Sequence, residues 1–248
     1  MLSIPVLLAK WLTKNTGFQV EIRDRVLEKD FTDIYHLCKP YTVTSMERMY
    51  ALYRSVHYLI DNDIPGDLVE CGVYKGGSSM LMAHILKGRK VNDRKIYLYD
   101  TFEGMTAPTE KDSKSDGTHQ GTLNKWKNSQ KNEINEWCYS PLEEVERNLR
   151  QVGLPNEQLQ FVKGKVEDTI PNSFHNNIAL LRLDTDWYES TLHELKHLYP
   201  LLAAKGVLII DDYGSWEGAK LAVDEYFAQD KSILLNRIDY TGRIGVKP

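Results

Sequence analysis

The chain has 248 residues, of which 42% are hydrophobic and 27% charged, and its net charge at pH 7 is −4. This composition indicates a globular protein with one sizeable α/β domain and excludes a disordered or fibrous chain. No basic stripe stands out, which argues against a nucleic-acid partner. The three cysteines, Cys38, Cys71 and Cys138, are widely spaced and form no CxxC pair. They indicate reduced thiols in a cytoplasm rather than a disulfide framework or a zinc site.

Residues 1–60 are expected to form a helical N-terminal extension, and residues 61–248 the main domain. The opening MLSIPVLLAKWL is apolar but too short to span a membrane, and it lacks the basic region and cleavage site of a signal sequence. We therefore expect an amphipathic helix that packs on the domain or on a second subunit of a homo-oligomer. A further helix is indicated by apolar residues at helical spacing: Met46, Met49, Leu52, Tyr53, Val56 and Leu59.

From residue 61 onward, short apolar strands alternate with helices. The predicted strands cover 67–70, 95–99, 159–162, 178–183 and 206–210. The predicted helices cover 78–86, 141–151, 188–199 and 216–228, the first of them capped by Ser78 or Ser79. This alternation predicts a mostly parallel sheet with helices on both faces. Ligands of such sheets bind beyond the carboxyl ends of the strands, so functional residues should follow the first, second, fourth and fifth strands.

Residues 103–140 interrupt the alternation with a long polar segment that contains Asp116, His119, Trp126 and Trp137. A connection of this length is typical of a lid or binding loop, and a disordered surface insertion is the alternative. Its aromatic residues favour the lid. His119 is a candidate catalytic base within it, although an ordinary surface histidine fits the same pattern.

A glycine-rich turn follows the first strand in the segment 70–78 (ECGVYKGGS). Its glycines allow the backbone to approach a ligand, and the N-terminus of the next helix offers unpaired N–H groups. The spacing fits neither the P-loop nor the GxGxxG dinucleotide turn. Glu70 at the strand end disfavours a pyrophosphate and favours a cationic ligand such as an α-amino group or a sulfonium. Asp100 ends the second strand, where a carboxylate can bind ribose hydroxyls, or it is a simple turn residue.

Carboxylates end the next two buried strands, at Asp184 and at Asp211-Asp212. Carboxylates this close repel one another unless a cation is present, and oxygen ligands suit Mg²⁺. The alternative is a set of helix N-caps and ion-paired loop acids.

One motif points elsewhere. His193-Glu194-Leu-Lys-His197 matches the HExxH pattern of zinc proteases on a predicted helix. Leu192, Leu195 and Tyr199 should form the buried face of that helix, which turns both histidines outward, and no convincing third ligand follows. A zinc peptidase and a non-catalytic binding protein are therefore the disfavoured alternatives.

Four segments together resemble the macrocin O-methyltransferase (TylF/MycF-like) family: 67–79 (DLVECGVYKGGSS), 99–104 (YDTFEG), 181–191 (LRLDTDWYEST) and 206–213 (GVLIIDDY). The resemblance implies a Rossmann-like class I fold, S-adenosylmethionine as methyl donor and Mg²⁺ as metal. It implies a small-molecule acceptor, a hydroxyl of a sugar or natural product. A phenolic or catechol-type acceptor, or N-methylation, is the alternative on this fold.

The resemblance also implies roles for individual residues. Asp184, Asp211 and Asp212 would bind the metal, and Asp186 would be the catalytic base. The cofactor site would be formed by Glu70, Gly72, Tyr74, Ser78, Asp100 and Asp168. Metal binding would lower the pKa of the acceptor hydroxyl, which is otherwise a poor nucleophile at neutral pH.

Overall fold

The computed structural model describes residues 27–170, 177–228 and 232–248. The helices cover Lys29–Cys38 (α1), Met46–Asp61 (α2), Gly77–Gly88 (α3), His119–Asn128 (α4), Leu142–Arg150 (α5), Val166–Thr169 (α6), Tyr188–His197 (α7) and Glu217–Phe227 (α8). The strands cover Asp67–Cys71 (β1), Ile96–Asp100 (β2), Gln130–Lys131 (β3), Ile134–Asn135 (β4), Leu159–Lys163 (β5), Ile178–Leu183 (β6), Leu202–Ile210 (β7), Asn236–Arg237 (β8) and Arg243–Val246 (β9). The opening apolar segment, expected to be an amphipathic helix, lies outside the described residues.

The central sheet has seven strands in the order β5-β2-β1-β6-β7-β9-β8. The first five run parallel, and β9 and β8 add an antiparallel edge. The predicted parallel sheet with helices on both faces is therefore confirmed. β7 begins at Leu202, earlier than expected, because the pairing with β6 shifts register there and the strand continues through it.

The two faces of the sheet bury alternate residues of each strand. Leu68 of β1 belongs to a core that includes residues of α1, α2, α3 and α5. Its neighbour Val69 belongs to a second core, with residues of α6, α7 and α8. The helices before residue 60 thus share a core with the sheet, and the apolar positions Met49, Leu52 and Val56 are buried as predicted. Among the helices in the described ranges, none is long and apolar enough to cross a membrane.

The predicted cap of α3 is wrong. Gly76, with φ +89°, caps the helix, and Ser78 and Ser79 are buried in its first turn. A glycine suits this position because left-handed backbone is strained for other residues. Ser79 instead donates a hydrogen bond to Glu70.

Residues 103–140 form α4 and the small hairpin of β3 and β4, and they contact the sheet domain at several points. Asp112 is fully buried and its Oδ1 accepts a hydrogen bond of 2.8 Å from the backbone N–H of Tyr188, at the start of α7. Lys114 forms a β-bridge with Trp216. The indole N–H of Trp187 donates to the carbonyl of Thr106 at 3.0 Å. These bonds place the segment over the carboxyl edge of the sheet.

Candidate functional site

A cavity of about 340 Å³ lies at the carboxyl edge of the parallel strands. It is lined by residues that follow β1, β2, β5, β6 and β7, by the insertion, and by loops near both ends of the described chain. Gly72, Tyr74, Asp100, Thr101, Gly164 and Lys165 follow β1, β2 and β5, which are neighbours in the sheet, and form a polar end. Met105, Trp137 and Trp216 belong to one apolar cluster and form an aromatic end, and Val43 and Tyr240 also line the cavity. Asp184, Asp186, Asp211 and Asp212 line the same cavity. A site with one polar and one aromatic end suits two reactants held side by side.

The glycine-rich turn after β1 is held by Asp100. Asp100 Oδ2 accepts hydrogen bonds from the backbone N–H groups of Val73 (2.7 Å) and Tyr74 (3.2 Å), and Oδ1 accepts from Phe102 (2.8 Å). Burial raises the pKa of Asp100, against the opposing effect of these bonds. Gly72 has φ +83°, and a Cβ there would lie 2.0 Å from the carbonyl oxygen of Asp184. The turn can therefore sit against β6 only with glycine at this position.

The three acids predicted as metal ligands are brought together. One carboxylate oxygen from each of Asp184, Asp211 and Asp212 lies within 4.8 Å of the others, and this is the only such group found among the described residues. Asp212 Oδ2 is buried without a hydrogen-bond partner in the described part of the chain. Burial, and then the charges of Asp186 and Asp184, raise the pKa of Asp212 well above its ordinary value. Such a cluster is compatible with a divalent cation, which removes the repulsion and satisfies the free oxygen.

Asp186 lies beside this cluster in a left-handed conformation, with φ +66°. A residue other than glycine adopts this conformation at a cost, so surrounding contacts must hold it there. Burial, and then the charge of Asp184, raise the pKa of Asp186 to about 7. Of the alternative interpretation, the helix caps are absent, because Trp187 and Trp216 occupy the N-cap positions of α7 and α8, whereas Asp184 and Asp211 are ion-paired as that interpretation expected.

Beneath the acids lies a fully buried arginine, Arg182 of β6. Its Nη1 donates to Glu70 Oε1 at 2.6 Å and to Asp184 Oδ2 at 2.7 Å, and its Nη2 donates to Asp211 Oδ1 at 2.6 Å and to Thr44 Oγ1 at 3.2 Å. The guanidinium thus joins β1, β6, β7 and the loop before α2. Sequence reasoning missed this residue, although a charged side chain within the apolar run LLRLD was a visible signal.

The opposite end of the cavity is aromatic. The rings of Trp187 and Trp216 meet edge to face with centroids 5.0 Å apart, and Trp137 lies 5.8 Å from each. The ammonium of Lys125 lies 3.8 Å from the centroid of the Trp137 ring. Trp137, from the insertion, and Trp216, after β7, face the cavity together with Met105.

The chain matches the model of a known family, the macrocin O-methyltransferase (TylF) family, over residues 9–244. The chain belongs to this family. It is 36% identical over 201 residues to demethyldecarbamoylnovobiocin O-methyltransferase of Streptomyces niveus, a match that covers 79% of this chain and 73% of the relative. It is 33% identical over 218 residues to mycinamicin III 3''-O-methyltransferase of Micromonospora griseorubida, covering 88% of this chain and 80% of the relative.

A solved structure of the O-methyltransferase NovP matches with a TM-score of 0.73 at 34% identity, covering 84% of this chain and 82% of that one. The predicted family, the Rossmann-like fold and the O-methyltransferase activity are thereby confirmed. The chain is thus an O-methyltransferase of a family that depends on S-adenosylmethionine.

The structure does not bring every predicted site residue to the cavity. Glu70 is 1% exposed and bound to Ser79 and Arg182. Ser78 is buried against Met49. Asp168 is exposed on α6, while the four residues that precede it, 164–167, line the cavity. The ring Nδ1 of His119 lies 3.3 Å from the carbonyl oxygen of Asp112, outside the lining. Gly72, Tyr74 and Asp100 do line it.

The HExxH motif forms no metal centre among the described residues. Leu195 and Tyr199 are buried as predicted, whereas Leu192 is only half-buried. His193 Nε2 lies 3.0 Å from the carbonyl oxygen of Ile170. Glu194 is fully buried, with Oε2 accepting from Thr185 at 3.2 Å and Oε1 unpartnered. The acid of this motif therefore faces the protein interior instead of a water-activating metal.

Proposed function

We propose that this enzyme methylates a hydroxyl of a sugar or natural-product acceptor, with Mg²⁺ held by Asp184, Asp211 and Asp212. The observation that carries the metal site is the unpartnered, buried Oδ2 of Asp212, beside two further carboxylates whose ligand atoms lie within 4.8 Å. The donor set is oxygen only, which suits Mg²⁺ and disfavours zinc. These residues therefore fit the ion that the sequence motif implies.

The polar end of the cavity is proposed to bind S-adenosylmethionine, which supplies an electrophilic methyl group on a sulfonium. Gly72 and Tyr74 bring the turn after β1 to the cavity, and Asp100 lies beside them. Glu70 and Ser78 are buried, so they are proposed to support the cofactor site without touching the cofactor. Gly164 and Lys165 line the same end of the cavity. The loop that contains Asp168 is therefore proposed to contribute through the residues that precede Asp168.

The aromatic end is proposed to bind the acceptor. Trp137, Trp216 and Met105 offer an apolar wall to one face of a ring, and the exposed Val43 and Tyr240 extend it outward. Aromatic side chains pack well against the C–H face of a sugar and against aromatic rings. The names of the relatives given above describe novobiocin-type and mycinamicin substrates, which supports a natural-product acceptor here.

Asp186 is proposed as the base that takes the proton of the acceptor hydroxyl. It lines the cavity next to the three ligands, in a left-handed backbone conformation that surrounding contacts must hold. When bound, Mg²⁺ lowers the pKa of a coordinated hydroxyl and fixes its direction. Trp137 and Trp216 hold the acceptor in place, and the turn at Gly72 holds the methyl donor opposite it.

One variant tests the role of Asp186. As the base, Asp186→Asn should lower kcat by about 10²–10⁴-fold at every Mg²⁺ concentration, with the Kd for S-adenosylmethionine unchanged. If Asp186 instead only orients Asp184 or a bound water, saturating Mg²⁺ restores much of the rate and the assignment fails. His119→Ala is the matched control, and a loss confined to that variant would transfer the role to His119.

The insertion 103–140 is proposed to order over the bound acceptor as a lid, because Trp137 of that segment lines the acceptor end. Its hydrogen exchange should slow when cofactor and acceptor are both bound, and equal exchange would contradict this.

We also propose a cytoplasmic location, supported by three free thiols at Cys38, Cys71 and Cys138. A homo-oligomer stays a prediction, which light scattering tests.

A further inference from the structure

Asp211 differs from the other acids of the cluster because guanidinium groups bind both of its carboxylate oxygens. Arg182 Nη2 donates to Oδ1 at 2.6 Å, and Arg48 Nη1 donates to Oδ2 in a close ion pair. Asp212 Oδ2, in contrast, has no partner within the described ranges. A divalent cation that binds Asp211 therefore meets two positive charges already placed on the same carboxylate.

The two arginines differ in how firmly they are held. The side chain of Arg182 is 2% exposed and also binds Glu70, Asp184 and Thr44. Its departure would leave several buried acids uncompensated, which is strongly unfavourable. The side chain of Arg48 is 10% exposed and lines the cavity. Of the two, only Arg48 can withdraw from Asp211 without breaking the support of the sheet edge.

Arg48 also has a second acid to turn to. Its Nε lies 3.1 Å from Asp239 Oδ2 and 3.4 Å from Ser45 Oγ, so its charge stays paired when Nη1 leaves Asp211. The aliphatic part of the side chain packs against Gly242, where a Cβ would lie 2.9 Å from Arg48 Cγ and Cδ. A rotation about the Cδ–Nε bond therefore suffices to move the Nη groups, since the stem can keep its place and Nε stays near Asp239.

We propose that Arg48 is a positioning residue that neutralises Asp211 until a divalent cation displaces its guanidinium. This inference rests on the proposed metal site. Arg48 joins the start of α2 to the turn between β8 and β9, and both segments line the cavity through Val43, Thr44, Tyr240 and Thr241. The Nη groups that a cation would displace thus belong to a side chain that connects two segments of the cavity lining.

Calorimetric titration of Mg²⁺ into the complex with S-adenosylhomocysteine tests this on the full chain. Arg48→Met removes the competing charge and keeps the stem packed against Gly242, so the Mg²⁺ affinity should rise about tenfold or more. Arg48→Gln should act in the same direction. Arg54→Met is the matched control, because Arg54 is on the same helix, 61% exposed and paired with Glu28. The Mg²⁺ affinity of the Arg54→Met variant should equal that of the wild type.

Equal or weaker Mg²⁺ binding by Arg48→Met overturns the inference, because a merely structural role would loosen the site. If the wild type itself binds no Mg²⁺, the metal site and the inference both fail, whereas wild-type binding with no gain in the variant overturns the inference alone. A crystal structure of the wild type with Mg²⁺ and S-adenosylhomocysteine gives a readout that needs no variant. Arg48 Nη1 should lie beyond the ion-pair distance of about 4 Å from Asp211 Oδ2, and a retained contact would overturn the inference.

Discussion

Arg182 provides the sharpest test of how the acidic site is supported. Its guanidinium binds Glu70, Asp184 and Asp211 at 2.6–2.7 Å, and the side chains of Glu70 and Asp211 are 1% and 3% exposed. Arg182→Met keeps much of the volume but removes the charge. The variant leaves buried Glu70 without its counter-ion and buried Asp211 with Arg48 alone, in a place where water cannot replace the lost charge.

Breaking one buried ion pair by removing a single partner costs about 3–5 kcal/mol, and here the same change breaks two. A domain of this kind has a free energy of unfolding of about 5–15 kcal/mol, so the variant should lose a large part of its stability. Urea unfolding followed by circular dichroism measures this loss. Arg150→Met is the control, because Arg150 pairs with Glu146 on the surface of α5 and should lose less than about 1 kcal/mol.

A second substitution makes the test specific. Adding Glu70→Gln to Arg182→Met removes one of the stranded charges, so the double variant should be more stable than Arg182→Met alone. Burial already raises the pKa of Glu70 to about 7 with Arg182 present. A loss below about 1 kcal/mol for Arg182→Met, or no recovery in the double variant, would refute the role of Arg182 as the counter-ion of this edge.

Three further results are expected. Asp100→Ala should weaken S-adenosylhomocysteine binding by about 1–3 kcal/mol in calorimetry, because the turn after β1 loses its acceptor; unchanged affinity would contradict this. Trp137→Ala should raise the KM for the acceptor and leave the Kd of the cofactor unchanged, and a changed Kd alone would place the acceptor elsewhere. Burial raises the pKa of Glu194 well above its ordinary value of 4.5. As pH rises above about 4.5, the carboxyl group of Glu194 therefore loses its proton in the unfolded chain but keeps it in the folded protein. The folded protein loses stability over this range for that reason. Glu194→Gln should therefore stabilise the protein at pH 8, with no gain at pH 4, whereas the exposed Glu189→Gln should change little. An equal gain at both pH values would contradict the burial argument.

The convergence of Asp184, Asp211 and Asp212 could be predicted from the sequence because the carboxyl ends of neighbouring parallel strands meet at one edge. Asp184 and the pair Asp211-Asp212 follow buried, mostly apolar runs, so the ends of both strands could be recognised in the sequence. Only the pairing of β6 with β7 had to be inferred. The structure places both strands side by side, with Leu183 opposite Ile210.

The direction of Glu70 could not be predicted in this way. Glu70 pairs in register with Arg182 across β1 and β6, which sets the two side chains next to each other on one face of the sheet. Strand register depends on contacts between distant segments, and no local pattern in β1 reports it. The roles of Arg48 and Asp239 could not be predicted either, because Arg48 lies far in the chain from its partners Asp211 and Asp239.

The central claim is that the enzyme transfers a methyl group from S-adenosylmethionine to a hydroxyl in this cavity with the help of a divalent cation. The most direct measurement follows labelled methyl from S-adenosylmethionine into glycosides and phenols with vicinal hydroxyl groups, in EDTA and after Mg²⁺ is restored. We predict transfer to an acceptor of this panel that stops in EDTA, returns with Mg²⁺, and is lost in an Asp211→Ala, Asp212→Ala double variant. Full transfer in EDTA, or wild-type rates in the double variant, would contradict the claim.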